Sequence, residues 1–363
     1  MSDAATLPSA LPSDCRDWLK DCALAIDLGS QPAADTLPHL VSAGLAGAGV
    51  PASRGGSGGD VVDALMAISA VAEESVAVAF MLWGHRSYIE YLLQTPNHAL
   101  AERHLPDLLA GKVAGASGLS NAMKFLAGLE PLQITAERDG DAITLAGKMP
   151  WVTNLRPAGF HVAAAIDWKD DGRSFVAFLA DDDEGLTRSA DLDLMGMRSS
   201  DTAAITLDQV RIGPERILAE DASIWLPQVK PAFVGLQCGL SIGLARRALA
   251  EAGKSAGAGR HVLGSAIAAA GARLDQAQAQ LAAGLRERLF ERHARPLFEL
   301  RIELADIVME AVTLELQASG GKAYLAGPGR DFARRWREAA FIPLVTPSLT
   351  QMRAALIDQA QAA

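Results

Sequence analysis

"LQITAERDGDAITLAG", Leu132 to Gly147, is where the chain changes its period. Apolar and polar residues alternate on both sides of Asp139-Gly140, and an Asp-Gly pair between two alternating runs is a strong signal for a two-residue hairpin. Downstream, "FHVAAAIDW", "RSFVAFLADD" and "TAAITLDQVRI" are equally short and bounded by Asp/Gly turns, with no helical stretch between them. Closely spaced strands without intervening helices predict an antiparallel barrel or sandwich.

Outward from this segment the spacing turns helical on both sides. "DVVDALMAISAVAEESVAVAFML" carries apolar residues at helical intervals, with Asp60 placed to cap its start. In "RPLFELRIELADIVMEAVTLELQ", Leu297, Leu300, Leu304, Ile307, Ala311 and Leu314 form one stripe, the face of a long packed helix. "SAIAAAGARLDQAQAQLAAG" is alanine-rich, which permits close helix–helix approach. The fold class is therefore α+β in the order helices, strands, helices, with expected units at residues 1–112, 113–222 and 223–363. The connector "GLAGAGVPASRGGSGGD" reads as a turn between helices. No strand precedes Gly44, Gly47 and Gly49, and no Gly-Lys-Ser/Thr follows them, so a phosphate loop is disfavoured.

Composition narrows the function classes. The 363 residues are 50% hydrophobic and 21% charged, as in an ordinary globular protein, and the formal net charge of -10 argues against a sequence-independent grip on nucleic acid. Cys15, Cys22 and Cys238 are odd in number and lack metal-ligand spacing, so they read as reduced thiols with no metal site. The start, "MSDAATLPSALPSD", has neither a positive n-region nor an apolar h-region, and no run reaches the length of a membrane span. These features predict a soluble, cytoplasmic protein without a signal peptide.

Two further stretches raise a sharper possibility. In "GKMPWVTN", Gly147 to Asn154, Trp151 and Thr153 stand two apart and so share a face of an extended strand. The bland reading is a buried aromatic with a β-branched neighbour; the sharp one is a planar ring beside a planar cofactor. "LMGMRSSDTAAITLDQVRIGPERIL", Leu194 to Leu218, resembles the Gly-x-Arg-x-Ser-x-Thr run and following Asp-x-Val strand of the acyl-CoA dehydrogenase-type flavoproteins. "GKMPWVTN" is similar to that family's Gly-x-x-x-Trp-Ile-Thr-Asn. The resemblance covers almost the whole chain. It implies an N-terminal helical domain, a middle β domain and a C-terminal four-helix bundle, with bound FAD. It also implies an acyl thioester substrate on CoA or acyl carrier protein, an electron acceptor such as an electron-transfer flavoprotein, and a homodimer or homotetramer. Trp151 then covers one side of the isoalloxazine, and the Thr153 hydroxyl donates toward a flavin nitrogen. "RHVLG" resembles Arg-x-x-Phe-Gly, which gives Arg260 the cofactor's pyrophosphate across a subunit interface. "QASGGKAY" resembles Gln-x-x-Gly-Gly-x-x-Tyr, which brings Gln317, Gly320 and Gly321 to the cofactor. Without the family, Arg260 is a solvated surface charge and Gly320-Gly321 a helix C-terminus.

The departures bear on the chemistry. Where the family has Thr/Ser-Glu-Pro and a Gly-Ser-Asp cluster, this chain has "LSNAMKFLAGLEP", in which Ser120 and Asn121 remain able to hydrogen-bond a ring carbonyl or a thioester. Dehydrogenation of an acyl thioester needs a carboxylate to take the α-proton. Aligning "RRWREAAFIPLVTPSLTQMR" with the family's Arg-Asp-Ala segment puts Thr346 at the usual glutamate, and a hydroxyl is no base near neutral pH without activation. The alternative glutamate position, on the first helix of the last unit, holds Phe233, with Gln237 and Cys238 a turn later. Glu338 matches a structural acid that pairs with an arginine. The first substitute base is His85 in "WGHRSYIEY", against the plain reading of a packed core histidine, with Glu90 weaker. Three functions follow: a dehydrogenase with a displaced base, a flavin-dependent monooxygenase of the same fold, and a degenerate subunit of a hetero-oligomer.

Overall fold

The computed structural model describes residues 11–362 apart from positions 141 and 171, so most of the stretch read for a leader lies outside it. Five helices come first: α1 (Ser13–Leu28), α2 (Thr36–Ser42), α3 (Val61–Glu74), α4 (Val76–Gln94) and α5 (His98–Leu109). Asp60 caps α3 as the sequence predicts. Its carboxylate accepts from the Val62 amide at 2.8 Å while the Asp63 side chain accepts from the Asp60 amide at 2.7 Å. The glycine-rich connector is a turn: the Gly49 amide donates to Gly58 O and the Gly58 amide to Val50 O. Gly49 has φ +72°, and a Cβ there would meet Asp60 O at 2.1 Å, so only glycine lets the connector fold onto the start of α3. Every residue of α4 from Val76 to Leu92 is buried, which makes it the central helix of this unit.

The strands follow as β1 (Ala114–Ser117), β2 (Ile134–Asp139), β3 (Ala142–Val152), β4 (Phe160–Trp168), β5 (Ser174–Ala180), β6 (Leu186–Arg188), β7 (Ala203–Ile212) and β8 (Ile217–Ala219), with α6 (Ser120–Leu126) after β1. The order is β6-β7-β3-β2-β4-β5-β8, with β1 beside β4. The β2–β3 hairpin pairs Asp139 with Ala142, so its turn lies one residue later than the Asp-Gly pair suggests. The sheet is not wholly antiparallel as expected, because β1 and β2 both run parallel to β4. A tight hairpin forces antiparallel pairing, whereas neither of these strands reaches β4 through one.

The last unit comprises α7 (Ala222–Ser255), α8 (Arg260–Arg286), α9 (Leu289–Arg292), α10 (Ala294–Ser319), α11 (Arg330–Phe341) and α12 (Leu349–Ala362). The stripe from Leu297 to Leu314 is buried on α10, and Ala270, Leu274, Ala277 and Leu281 form the buried line of α8. Helices α7, α8 and α10 pack on one another, and α7 also packs along α3, so one helical core spans both ends of the chain. A second core fills the interior of the sheet, from Ala114 to Ile217. Among the described residues no helix is long and apolar enough to cross a membrane, and no group of three or more His, Cys, Asp or Glu side chains is placed to hold a metal ion.

Candidate functional site

Between the helical core and the sheet lies a cavity of about 520 Å³ whose walls include Trp83, Ser120, Trp151, Thr153, Thr202, Phe341 and Thr346. Strand β3 delivers the first wall. Its pairing with β7 shifts register between Met149 and Val152, which breaks the strict in–out alternation. Trp151 is consequently 59% exposed on the cavity side while Thr153, just past the strand, is buried, and both reach the same cavity. They reach it through a register shift and the turn after the strand rather than through the regular alternation that their spacing invoked.

The hydroxyl chemistry differs from expectation. Thr153 Oγ1 donates to Ser200 O at 3.1 Å and lies 2.8 Å from Thr202 Oγ1, which is 2.7 Å from Ser200 Oγ. One consistent direction runs Ser200 to Thr202 to Thr153 to the Ser200 carbonyl, so Thr153 must release that carbonyl before donating to any ring nitrogen. Asn121 also lines the cavity, but its amide ties down its own loop. It donates to Glu130 Oε1 at 2.9 Å and Pro131 O at 3.0 Å, and accepts from the Gln133 amide at 2.9 Å. Both amide hydrogens are therefore committed, which corrects the expectation that Asn121 serves a ligand. The segment that replaces the family's Gly-Ser-Asp cluster has become α6, and Ser120 at its start still faces the cavity.

His85 does not line the cavity. It is wholly buried on α4, with Nε2 3.1 Å from Leu108 O and Nδ1 accepting from the Gly115 amide at 3.0 Å. One nitrogen must donate and the other accept, so the ring is the neutral Nε2–H tautomer with both positions used. Burial, reinforced by the Arg86 charge, pushes its pKa down to about 3. A base with no free lone pair and no path to the cavity cannot take a substrate proton, so the structure removes the first candidate. Glu90 is likewise absent from the walls and accepts from Gln94 Nε2 at 2.7 Å.

Thr346 does face the cavity, and its carbonyl accepts from Gln237 Nε2 at 3.0 Å. Gln237 Oε1 in turn accepts from Arg301 Nε at 2.9 Å, and Arg301 Nη2 donates to Ile342 O at 2.7 Å, so a buried polar chain holds this end of the cavity. Phe233 stands behind Trp83, whose indole donates to its carbonyl at 3.2 Å. Cys238 is buried and its thiol is pushed up to about 12, far from a thiolate. Glu338 pairs with Arg334 at 2.8 and 2.9 Å and accepts from the Val76 amide at 3.0 Å, the structural role its position suggested. Burial raises its carboxyl pKa against the pull of Arg334.

Several residues of the site escaped the sequence reading. The titratable side chains on the cavity wall, among the described residues, are Lys124, Glu130, Lys148 and Arg337. Glu130 pairs with Lys124 at 3.0 Å, and the Asn121 hydrogen bond holds its carboxyl below the ordinary range. Arg337 is anchored by the fully buried Asp27 of α1, whose Oδ2 accepts from its Nε at 3.0 Å and whose Oδ1 accepts from the Met197 amide at 2.7 Å. Only Lys148 carried a local signal, an exposed polar position two before Pro150 on an alternating strand. Asp27 and Arg337 are 310 residues apart, and no local pattern links them. Arg260, Gln317, Gly320 and Gly321 are exposed on the C-terminal helices and are not on the walls of this cavity. Nothing lies within 4 Å of a Cβ built at Gly320 or Gly321.

Residues 15–112 match the family profile "Acyl-CoA dehydrogenase, N-terminal domain". The chain is 28% identical over 262 residues to the short-chain-specific acyl-CoA dehydrogenase of Megasphaera elsdenii, covering 65% of this chain and 67% of that protein. The chain is similar to the acyl-CoA dehydrogenases, most directly over its N-terminal region. It is also 29% identical over 196 residues to "Probable acyl-CoA dehydrogenase YngJ" of Bacillus subtilis (strain 168), covering 51% of this chain but only 50% of that protein. The acyl-CoA dehydrogenase fold is seen in the similarity to the solved butyryl-CoA dehydrogenase of Megasphaera elsdenii. The TM-score is 0.84 at 21% identity, over 98% of this chain and 99% of the other. The same fold appears in KijD3 in complex with FMN and a dTDP-amino-keto sugar, with TM-score 0.80 at 22% identity over 96% and 92% of the two chains.

Proposed function

We propose that this protein is a flavin-dependent oxidoreductase whose reaction does not use an active-site carboxylate base. The observation that carries this reading is the cavity wall. Among the described residues its one carboxylate, Glu130, is paired with Lys124 and bound by Asn121, and Thr346 lines the cavity where the sequence resemblance puts the family's glutamate. With His85 sealed in the core, no wall group is fitted to take an α-proton from an acyl thioester at neutral pH.

The cavity fits a flavin ring. An indole with 59% of its surface exposed forms a flat wall, with Thr153, Thr202 and Ser120 offering polar edges beside it. FAD is the expected form, with Arg260, Gln317, Gly320 and Gly321 supplied by a second copy of the chain. A bound flavin supplies two-electron chemistry, taking a hydride or, when reduced, passing electrons to oxygen. The chain's own groups do the rest. Trp151 orients the ring, Phe80, Trp83 and Phe341 keep water from one side, and Lys148 puts a positive charge on the wall, Arg337 being paired with Asp27. The substrate class this suits is one carried by CoA or an acyl carrier protein, both of which bear phosphate. We take residues 1–112, 113–222 and 223–363 as the working units.

The test is anaerobic mixing of flavin-loaded protein with butyryl-CoA. The expected result is a flavin that stays oxidised. Bleaching of the flavin at a catalytic rate would restore the dehydrogenase. Failure to retain any flavin would instead favour the degenerate subunit.

A further inference from the structure

A second cleft, of about 450 Å³, shares no wall with the flavin cavity and opens where α5 meets β4, β5 and the turn Pro214–Arg216. Its walls carry Arg103, His104, His161 and Arg216, with the exposed acids Asp182 and Glu215. We propose that this cleft binds a small oxyanion, the carboxylate or phosphate of a metabolite-sized ligand.

Two unpartnered buried atoms on the cleft wall motivate the proposal. Arg216 is fixed by Nη2 donating to Asp183 Oδ1 at 2.9 Å and by its Cζ lying 4.5 Å from the centre of the Phe178 ring, yet its Nη1 has no acceptor. His161 lies between rings, 5.0 Å from those of both His104 and Phe178, and its Nδ1 has no partner. Tyr88 packs 6.1 Å from His161, is wholly buried, and its hydroxyl is also unpartnered. Tyr88 is not on the cleft wall and packs behind His161, whereas His161 and Arg216 both line the cleft.

An unmade hydrogen bond at a buried group costs roughly 1–3 kcal/mol, and interiors leave few such groups. An oxyanion presents several lone pairs and can accept from a guanidinium and an imidazole N–H at once. Burial pushes His161 down to about 4 and also lowers His104, so both rings are neutral near pH 7. Asp182, Asp183 and Glu215 more than offset Arg103 and Arg216 in formal charge. Recognition therefore rests on aligned donors rather than on net positive potential, which suits one small group better than a polyanion.

Isothermal titration of the full chain, with its flavin, by sodium phosphate and separately by sodium acetate tests this, with chloride holding ionic strength constant. Saturable binding of one anion per chain is expected for at least one of the two, and the preferred anion identifies the ligand class. Arg103→Ala and His161→Phe should each weaken it about ten-fold or more. His161→Phe keeps a ring between His104 and Phe178, so a melting temperature close to that of wild type separates loss of the anion from loss of the fold. Heats no greater than the chloride control, or an affinity unchanged in both variants, would overturn the assignment.

Discussion

At the scale of single residues, the histidine in "WGHRSYIEY" shows how far a residue type can mislead. Its functional appeal was a pKa near neutrality, but burial holds it at about 3, and both nitrogens are spent joining α4 to Leu108 and Gly115. The folded pKa lies below the unfolded one, so the stabilisation is complete above the ordinary value near 6.5. It is lost as pH falls from there toward about 3. Each unit of that fall should cost about 1.4 kcal/mol from this group. Urea unfolding at pH 7 and pH 5 should show wild type losing about 2 kcal/mol more than His85→Gln over the interval. Equal losses would mean that His85 titrates normally. Thr346→Glu, by contrast, restores a carboxylate to a cavity-facing position. It should gain anaerobic flavin reduction by butyryl-CoA of about 10²-fold or more over wild type, the usual worth of a positioned base. A flat response in stopped-flow absorbance would show that the cavity does not present an acyl α-carbon there. Trp151 and Thr153 both reach the cavity, but the register shift between Met149 and Val152 that sets their placement had no signature in the alternation. Asn121 was no more legible, because its partners at Glu130, Pro131 and Gln133 come from a turn that no periodicity describes.

At the scale of elements, what could be read was what depends on neighbours in sequence. The capping box at Asp60, the stripe on α10 and the β2–β3 hairpin are all local, and all formed. The parallel pairings of β1 and β2 with β4 depend on which strands meet after distant connections, and were missed. The joints between elements were equally hidden. Glu338 on α11 reaches the first amide of α4 while pairing with Arg334, so one buried carboxylate locks the two ends of the chain together. Glu338→Gln leaves Arg334 buried beside a neutral amide, and should destabilise by about 3–5 kcal/mol. Adding Arg334→Met should recover a large part of that loss, since a buried pair is replaced by apolar contact more cheaply than it is broken. The double-mutant cycle in urea reads this directly; two additive losses would show that the carboxylate serves Val76 rather than the arginine.

At the scale of the whole molecule, one chain holds only part of the proposed site. The ring wall at Trp151 belongs to the cavity, whereas Arg260 stands exposed on α8, its Nη2 donating to Gly253 O at 3.0 Å, with no share in that cavity. A glycine pair with open space around it, at Gly320 and Gly321, is similarly placed for something outside the chain to approach closely. If two copies complete each other, Arg260→Ala should weaken FAD binding by roughly 1.5–3 kcal/mol, about ten- to a hundred-fold, without altering the cavity of its own chain. Trp151→Ala should weaken it from the other side. Mixing the two variants after dissociation and reassociation then gives a sharper result than either alone. In a mixed dimer one site receives both intact halves and the other receives neither, so random pairing regenerates about one quarter of wild-type sites. Tight FAD binding at about that fraction, measured by fluorescence titration, would establish a site shared between subunits. A mixture that binds no better than its components, or a monomer that keeps its flavin through gel filtration, would place the whole cofactor within one chain and leave Arg260 a solvated surface charge.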